Sequence, residues 1–161
     1  MLLETSGRPN KLPIKICKDA VKFYGRYLLT ENLYHKITVT LSFEQFDKNC
    51  SAYAYCEWED KSHRAKNFII TLKKDLSKRE MLLALAHEMV HVKQYAKGEL
   101  SDYARVNKSK WQGVPYDLDT VDYWEYPWEI EAHGREKGLY FKFQDYMRIV
   151  KKWPERTSKQ K

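Results

Sequence analysis

Apolar residues recur at every third or fourth position between residues 14 and 30. Ile16, Ala20, Phe23 and Tyr27 form a stripe that Val21, Tyr24 and Leu28 widen, which predicts an amphipathic helix. From Ile37 the period falls to two. Ile37, Val39, Leu41 and Phe43 alternate with Thr38, Thr40 and Ser42, as in a strand buried on one face. Residues 51–58, rich in Tyr and Trp, and residues 67–72, rich in β-branched side chains, read as two further strands. The polar stretch 59–66 links them, with His63 as a solvent-exposed loop residue. Three consecutive strands with short links predict a mainly antiparallel meander whose apolar face must be covered by helices.

Residues 77–97 carry the clearest helical pattern. Ser77 can cap the start, Glu80 completes a capping box three residues on, and Gly98 can close the end. Leu82, Leu85, Met89 and Val92 form the stripe expected to be buried. Between Gly98 and Tyr126 the pattern dissolves into Ser, Asp, Asn, Gly and Pro with interspersed aromatics, which reads as a long aromatic loop, a cleft wall or lid. Asp117, Asp119 and Asp122 lack the glycine and terminal glutamate of a calcium loop and read as solvated. Pro127 suits the first turn of a last helix that runs towards Val150 and stops before Pro154. The fold expected is α+β in one domain over residues 1–153, with 154–161 a basic flexible tail.

The motif His87-Glu88-Met89-Val90-His91 lies inside the long central helix. Residues four apart share a helix face, so the two imidazoles can reach one tetrahedral zinc ion. Glu88 is rotated by roughly 100° from His87. From there its carboxylate is better placed to take a proton from metal-bound water than to bind the metal. A catalytic zinc takes three protein ligands, and the last helix offers Glu129, Glu131 and His133 as the third. Glu131 falls beside Trp128, Ala132 and Arg135, the face assigned to the core, and is favoured. Glu129 and His133 remain as alternatives on the other side.

Composition narrows the partners without choosing one. The net charge of +7 suits nucleic acid or an acidic protein, but the basic residues are spread over most segments. Cys17, Cys50 and Cys56 form an odd set without a CxxC pair, which argues against a disulfide framework and for a reducing compartment. The first residues break their apolar run too soon for a secretory signal, and no run approaches a membrane span. A cytoplasmic location follows as the expectation, in the host cell if the gene is a phage's.

Two stretches, His87 to Gln94 and Tyr126 to Ala132, resemble the zincin metallopeptidases, specifically the small gluzincin-like or SprT-like proteins often encoded by phages. That resemblance implies zinc, peptide-bond hydrolysis and the order helix, antiparallel sheet, motif helix, ligand helix. In gluzincins the glutamate ligand commonly opens a Glu-Ala motif, which Glu131-Ala132 matches. It also implies a substrate strand added to the sheet edge beside the motif helix, for which residues 67–72 are positioned in sequence. An oxyanion-stabilising Tyr or His should come from the aromatic loop, where Tyr123 and Tyr126 are the candidates. Gln94, one turn past His91, could orient a ligand. The chain departs from Spartan-related members: it has no histidine between His91 and His133 and no cysteine zinc ribbon. Two other readings are a basic DNA-associated module with structural zinc and a zincin-fold protein that binds a host regulator.

Overall fold

The long alternating segment at the centre of the sheet finds its partners on both sides from segments distant in sequence. A computed structural model describes residues 1–47, 49–60, 64–103 and 107–151. Its elements are β1 (Leu2–Ser6), α1 (Ile14–Leu28), α2 (Glu31–Lys36), β2 (Thr38–Glu44), β3 (Ala54–Trp58), β4 (Asn67–Lys73), α3 (Lys78–Lys97), β5 (Leu100–Asp102), β6 (Lys108–Trp111), β7 (Val114–Asp117), a 3-10 turn (Tyr123–Glu125) and α4 (Pro127–Lys151). The α+β class is as expected. His63 and the tail 154–161 lie outside the described residues.

The main sheet has the order β1-β2-β4-β3. β1 and β2 are parallel, β2 and β4 are parallel, and only β3 runs antiparallel, against β4. This corrects the antiparallel meander. The helices α1 and α2 carry the chain back between β1 and β2, the kind of crossover a parallel pair requires. The chain after β2 passes over to the far side, so that β3 becomes an edge and β4 the interior strand. β4 carried the sign of this: Phe68, Ile70, Thr71 and Leu72 are all buried, the near-continuous apolar run of a strand covered on both faces. β1 was not expected because its five residues show no apolar alternation. At its end Gly7 adopts φ +69°, and a Cβ there would lie 2.7 Å from the Phe43 carbonyl oxygen, so the turn beside β2 requires glycine.

The first helix stops at Leu28, short of the expected boundary, because Leu29 is extended and Thr30 caps α2 by accepting from the Leu33 amide. α3 forms between the caps that its sequence offers. The Ser77 hydroxyl accepts from the Glu80 amide, the Glu80 carboxylate accepts from the Ser77 amide at 2.8 Å, and Gly98 closes the helix at φ 72°. Its expected stripe Leu82, Leu85, Met89 and Val92 is buried. So are Met81, Ala84, Ala86, Val90 and Ala96, because α3 packs against α1, β3, β4 and α4 at once.

The described residues between Gly98 and Tyr126 are not one long loop. β5, β6 and β7 form a three-stranded antiparallel sheet, and Gln112 (φ 47°) and Gly113 (φ 92°) make the two-residue turn between Trp111 and Val114. In strands of three or four residues, with Asp102, Lys108 and Lys110 exposed and Ser109 as the buried residue of β6, there is no hydrophobic period to read. Asp117 pairs with Lys108, Asp119 accepts from Asn107, and Asp122 caps the 3-10 turn, so the three aspartates serve the local fold.

α4 begins at Pro127 as expected and buries Trp128, Ala132, Leu139, Tyr140, Phe143 and Met147. Among the described residues, no helix is long and apolar enough to cross a membrane.

Candidate metal centre

Two helices meet at the site, α3 supplying imidazoles and α4 a carboxylate. His87 and His91 stand one turn apart near the middle of α3, with His91 only 8% exposed. Each ring is fixed from behind. The Gln94 amide group donates from Nε2 to the Trp128 carbonyl and to Glu131 Oε2, both at 3.0 Å. That orientation leaves Gln94 Oε1 to accept from His91 Nδ1 at 2.8 Å. His87 Nδ1 donates to Glu136 Oε2 at 3.1 Å. With both Nδ1 atoms engaged as donors, both Nε2 atoms are turned to the same point, 3.1 Å apart.

The carboxylate that joins them is that of Glu129. Its Oε2 lies 3.4 Å from His87 Nε2 and its Oε1 3.5 Å from His91 Nε2. Zinc bonds of 2.0–2.2 Å in a tetrahedron put neighbouring ligand atoms about 3.3–3.5 Å apart. Here the two Nε2 atoms are 3.1 Å apart and each faces a different oxygen of the Glu129 carboxylate, at 3.4 and 3.5 Å, distances near that edge length. His87, His91 and Glu129 form a group that could hold a metal ion, and the donor set of two imidazoles and one carboxylate suits a borderline cation.

Burial and mutual charge set the protonation of this group without a metal. Burial opposes a charge on His87, but hydrogen bonds to Glu129 and Glu136 outweigh it and hold its pKa up at about 9. Burial likewise opposes ionisation of Glu129, yet hydrogen bonds from His87, His91 and Tyr123 hold its carboxyl well below the usual range. The positive charge needed among three converging acceptor atoms is then a proton.

Glu88 faces the same cavity, of about 270 Å³, whose lining also includes Tyr55, Cys56, Tyr95, Leu100, Tyr123 and Trp128. It is 5% exposed, and burial pushes its pKa up, against the pull of His91 and His87. A carboxylate with a raised pKa beside two imidazoles is suited to accept and return a proton. The Tyr123 hydroxyl donates to Glu129 Oε2 at 2.7 Å. Burial first, then Glu129, raises its pKa, so the phenol stays a donor.

Glu131, expected as third ligand, is held elsewhere. Lys93 Nζ lies 2.8 Å from its Oε1 and Arg135 Nε 2.8 Å from the same oxygen, so the carboxylate is engaged in a charged network that also takes in Glu99. Counting Arg135 in the core stripe misplaced the helix phase: Arg135 is exposed, whereas Tyr140, Phe143 and Met147 draw the buried face round towards Glu129. His133 lies behind His87, its ring centroid 4.5 Å away and its Nδ1 3.4 Å from Glu136 Oε2. His87, His133 and Glu136 form a second group with metal-ligand spacing. Tyr126 is turned away from the cavity, stacked on Trp128 with its hydroxyl donating to the Leu118 carbonyl at 3.0 Å.

Glu136 was missed, although its place seven residues after Glu129 puts it on the same side of the helix. Also missed was the sheet edge beside the site: β4 is interior, and it is β3, through Ala54, Tyr55 and Cys56, that lines the cavity. Cys56 carries a free thiol, as do Cys17 and Cys50. No family model matches the chain, and neither a curated protein nor a solved structure matches it.

Proposed function

We propose that the protein is a zincin-like zinc peptidase in which His87, His91 and Glu129 hold the metal and Glu88 moves the proton. The observation that carries this reading is the convergence of two back-fixed Nε2 atoms, 3.1 Å apart, on the Glu129 carboxylate at 3.4–3.5 Å, with the buried carboxylate of Glu88, its pKa raised, next to His87 in the chain. When bound, zinc would lower the pKa of water towards neutrality and polarise a scissile carbonyl. Glu88 takes the proton from the attacking water and returns it to the leaving amine. Tyr123, whose hydroxyl already points at the group, supplies a hydrogen bond to the developing oxyanion by leaving Glu129.

A peptide substrate would add as a strand along β3. Among the described residues that edge pairs with no other strand, and Tyr55 and Cys56 place it against the cavity.

The test is Glu88→Gln in the full chain, with hydrolysis followed on a peptide library and metal content by elemental analysis. One zinc per chain retained and turnover lowered by at least about 10²-fold supports the reading. Unchanged turnover, or zinc lost with the substitution, overturns it. Hydrolysis absent from the unaltered zinc-loaded chain would favour the metal as a structural ion in a binding module.

A further inference from the structure

Away from the His87–His91–Glu129 group, α1 carries a basic stripe. At about 100° per residue, Lys18, Lys22, Lys15 and Arg26 fall within an arc of roughly 80° along the whole helix. Next to that arc stand Phe23 and Tyr27, and beyond them the buried face begins with Ala20 and Tyr24. Phe23 stacks on Tyr27 with centroids 6.5 Å apart and meets Tyr146 of α4 at 5.0 Å. Lys142 of α4 holds its ammonium 5.0 Å from the Tyr27 ring centre, and Arg26 lies 5.4 Å from that of Tyr34. Asp19, Lys22, Phe23, Arg26, Tyr27 and Tyr146 line an open cavity of about 380 Å³.

We propose that this face binds single-stranded nucleic acid, its phosphates running along the α1 cations and an unpaired base entering the aromatic cavity. Cations one helical turn apart can follow a phosphate chain, and rings beside them offer stacking surfaces to any base. An acidic peptide would be served by the cations alone and would have no use for the rings. A lipid surface calls for several aromatics that protrude, whereas of the three rings here only Tyr27 is exposed and Phe23 and Tyr146 are half-buried. The net charge of +7 adds attraction at long range.

The experiment measures fluorescence anisotropy of a labelled oligothymidine with the full chain over a salt series. Lys22→Gln/Arg26→Gln should weaken binding and flatten the log–log salt dependence by about 1.4, two single-strand phosphate contacts. Tyr27→Ala, at a side chain 53% exposed and thus outside the core, should weaken it about ten-fold. The charge-matched control Lys66→Gln/Lys110→Gln should bind like the unaltered chain. Equal losses in the control and the α1 pair, no effect of Tyr27→Ala, or capture by phosphatidylserine vesicles without oligonucleotide binding would each overturn the proposal.

Discussion

Glu136 decides which nitrogen of His87 is left for a cation. A carboxylate only accepts, so the bond at 3.1 Å places the proton on Nδ1 and turns Nε2 inward. Glu136→Gln should therefore weaken zinc binding by about 10–100-fold, read by competition with a chromophoric chelator, with the fold intact by circular dichroism. The ligand itself separates two neighbouring carboxylates: Glu129→Ala should abolish zinc retention, and Glu131→Ala should retain one zinc per chain. Zinc kept by the first and lost by the second would restore the expectation from sequence. His87, Glu88 and His91 were legible because a spacing of four on a well-capped helix is local geometry. The choice of Glu129 required the phase of a helix with few unambiguous core residues in its first turns. At roughly 100° per residue, the mean direction of Trp128, Ala132, Leu139, Tyr140, Phe143 and Met147 lies about 45° from Glu129 and over 100° from Glu131. Weighting the late aromatic positions gives the carboxylate that meets the two imidazoles, and weighting Arg135 does not.

The boundaries of α3 were legible for the same reason, since caps act within a few residues. Their contribution has a defined pH dependence. Hydrogen bonds from Ser77 hold the Glu80 carboxyl below its ordinary value of 4.5. A group whose folded pKa is depressed contributes fully above the unfolded pKa and loses that contribution as pH falls through the folded one. Ser77→Ala should cost about 1 kcal/mol in urea unfolding at neutral pH. Glu80→Ala should cost less than about 1 kcal/mol because solvent screens the partly exposed carboxylate. That second difference should stay constant above pH 4.5 and shrink on further acidification; a difference that grows in acid would rule out the box as its source. The small sheet of β5, β6 and β7 had no comparable signal. It is held by register, by the Gln112-Gly113 turn and by anchors such as Ser109, which donates to Asp102 at 2.6 Å, and none of these produces an apolar period.

In the molecule as a whole, the group of His87, His91 and Glu129 ties α3 to α4 across a separation of some forty residues. Periodicity foretold that both helices would exist, but which of their faces meet depends on the parallel sheet below α3 and on Lys93, which bridges Glu131 and Glu99. The same geometry makes the proposed zinc a clamp between two elements that each already have a hydrophobic seat, so the metal-free chain should fold and the loaded chain should be more stable. A cation that binds only the folded state adds about 2.7 kcal/mol when its free concentration is a hundred times the dissociation constant. For a chain of this size that corresponds to a rise in Tm of roughly 5–10 °C. Differential scanning calorimetry with and without a chelator should show this shift in the unaltered protein. Glu88→Gln should keep the shift, because Glu88 is assigned to proton transfer and not to the clamp. Glu129→Ala should erase it and should also lower the metal-free Tm, since without zinc hydrogen bonds from His87, His91 and Tyr123 outweigh the burial of the ionised carboxylate; the shift is therefore read within each variant, with and without chelator. A shift of equal size in Glu129→Ala would mean that the stabilising cation sits elsewhere, and the group formed by His87, His133 and Glu136 would be the next place to substitute.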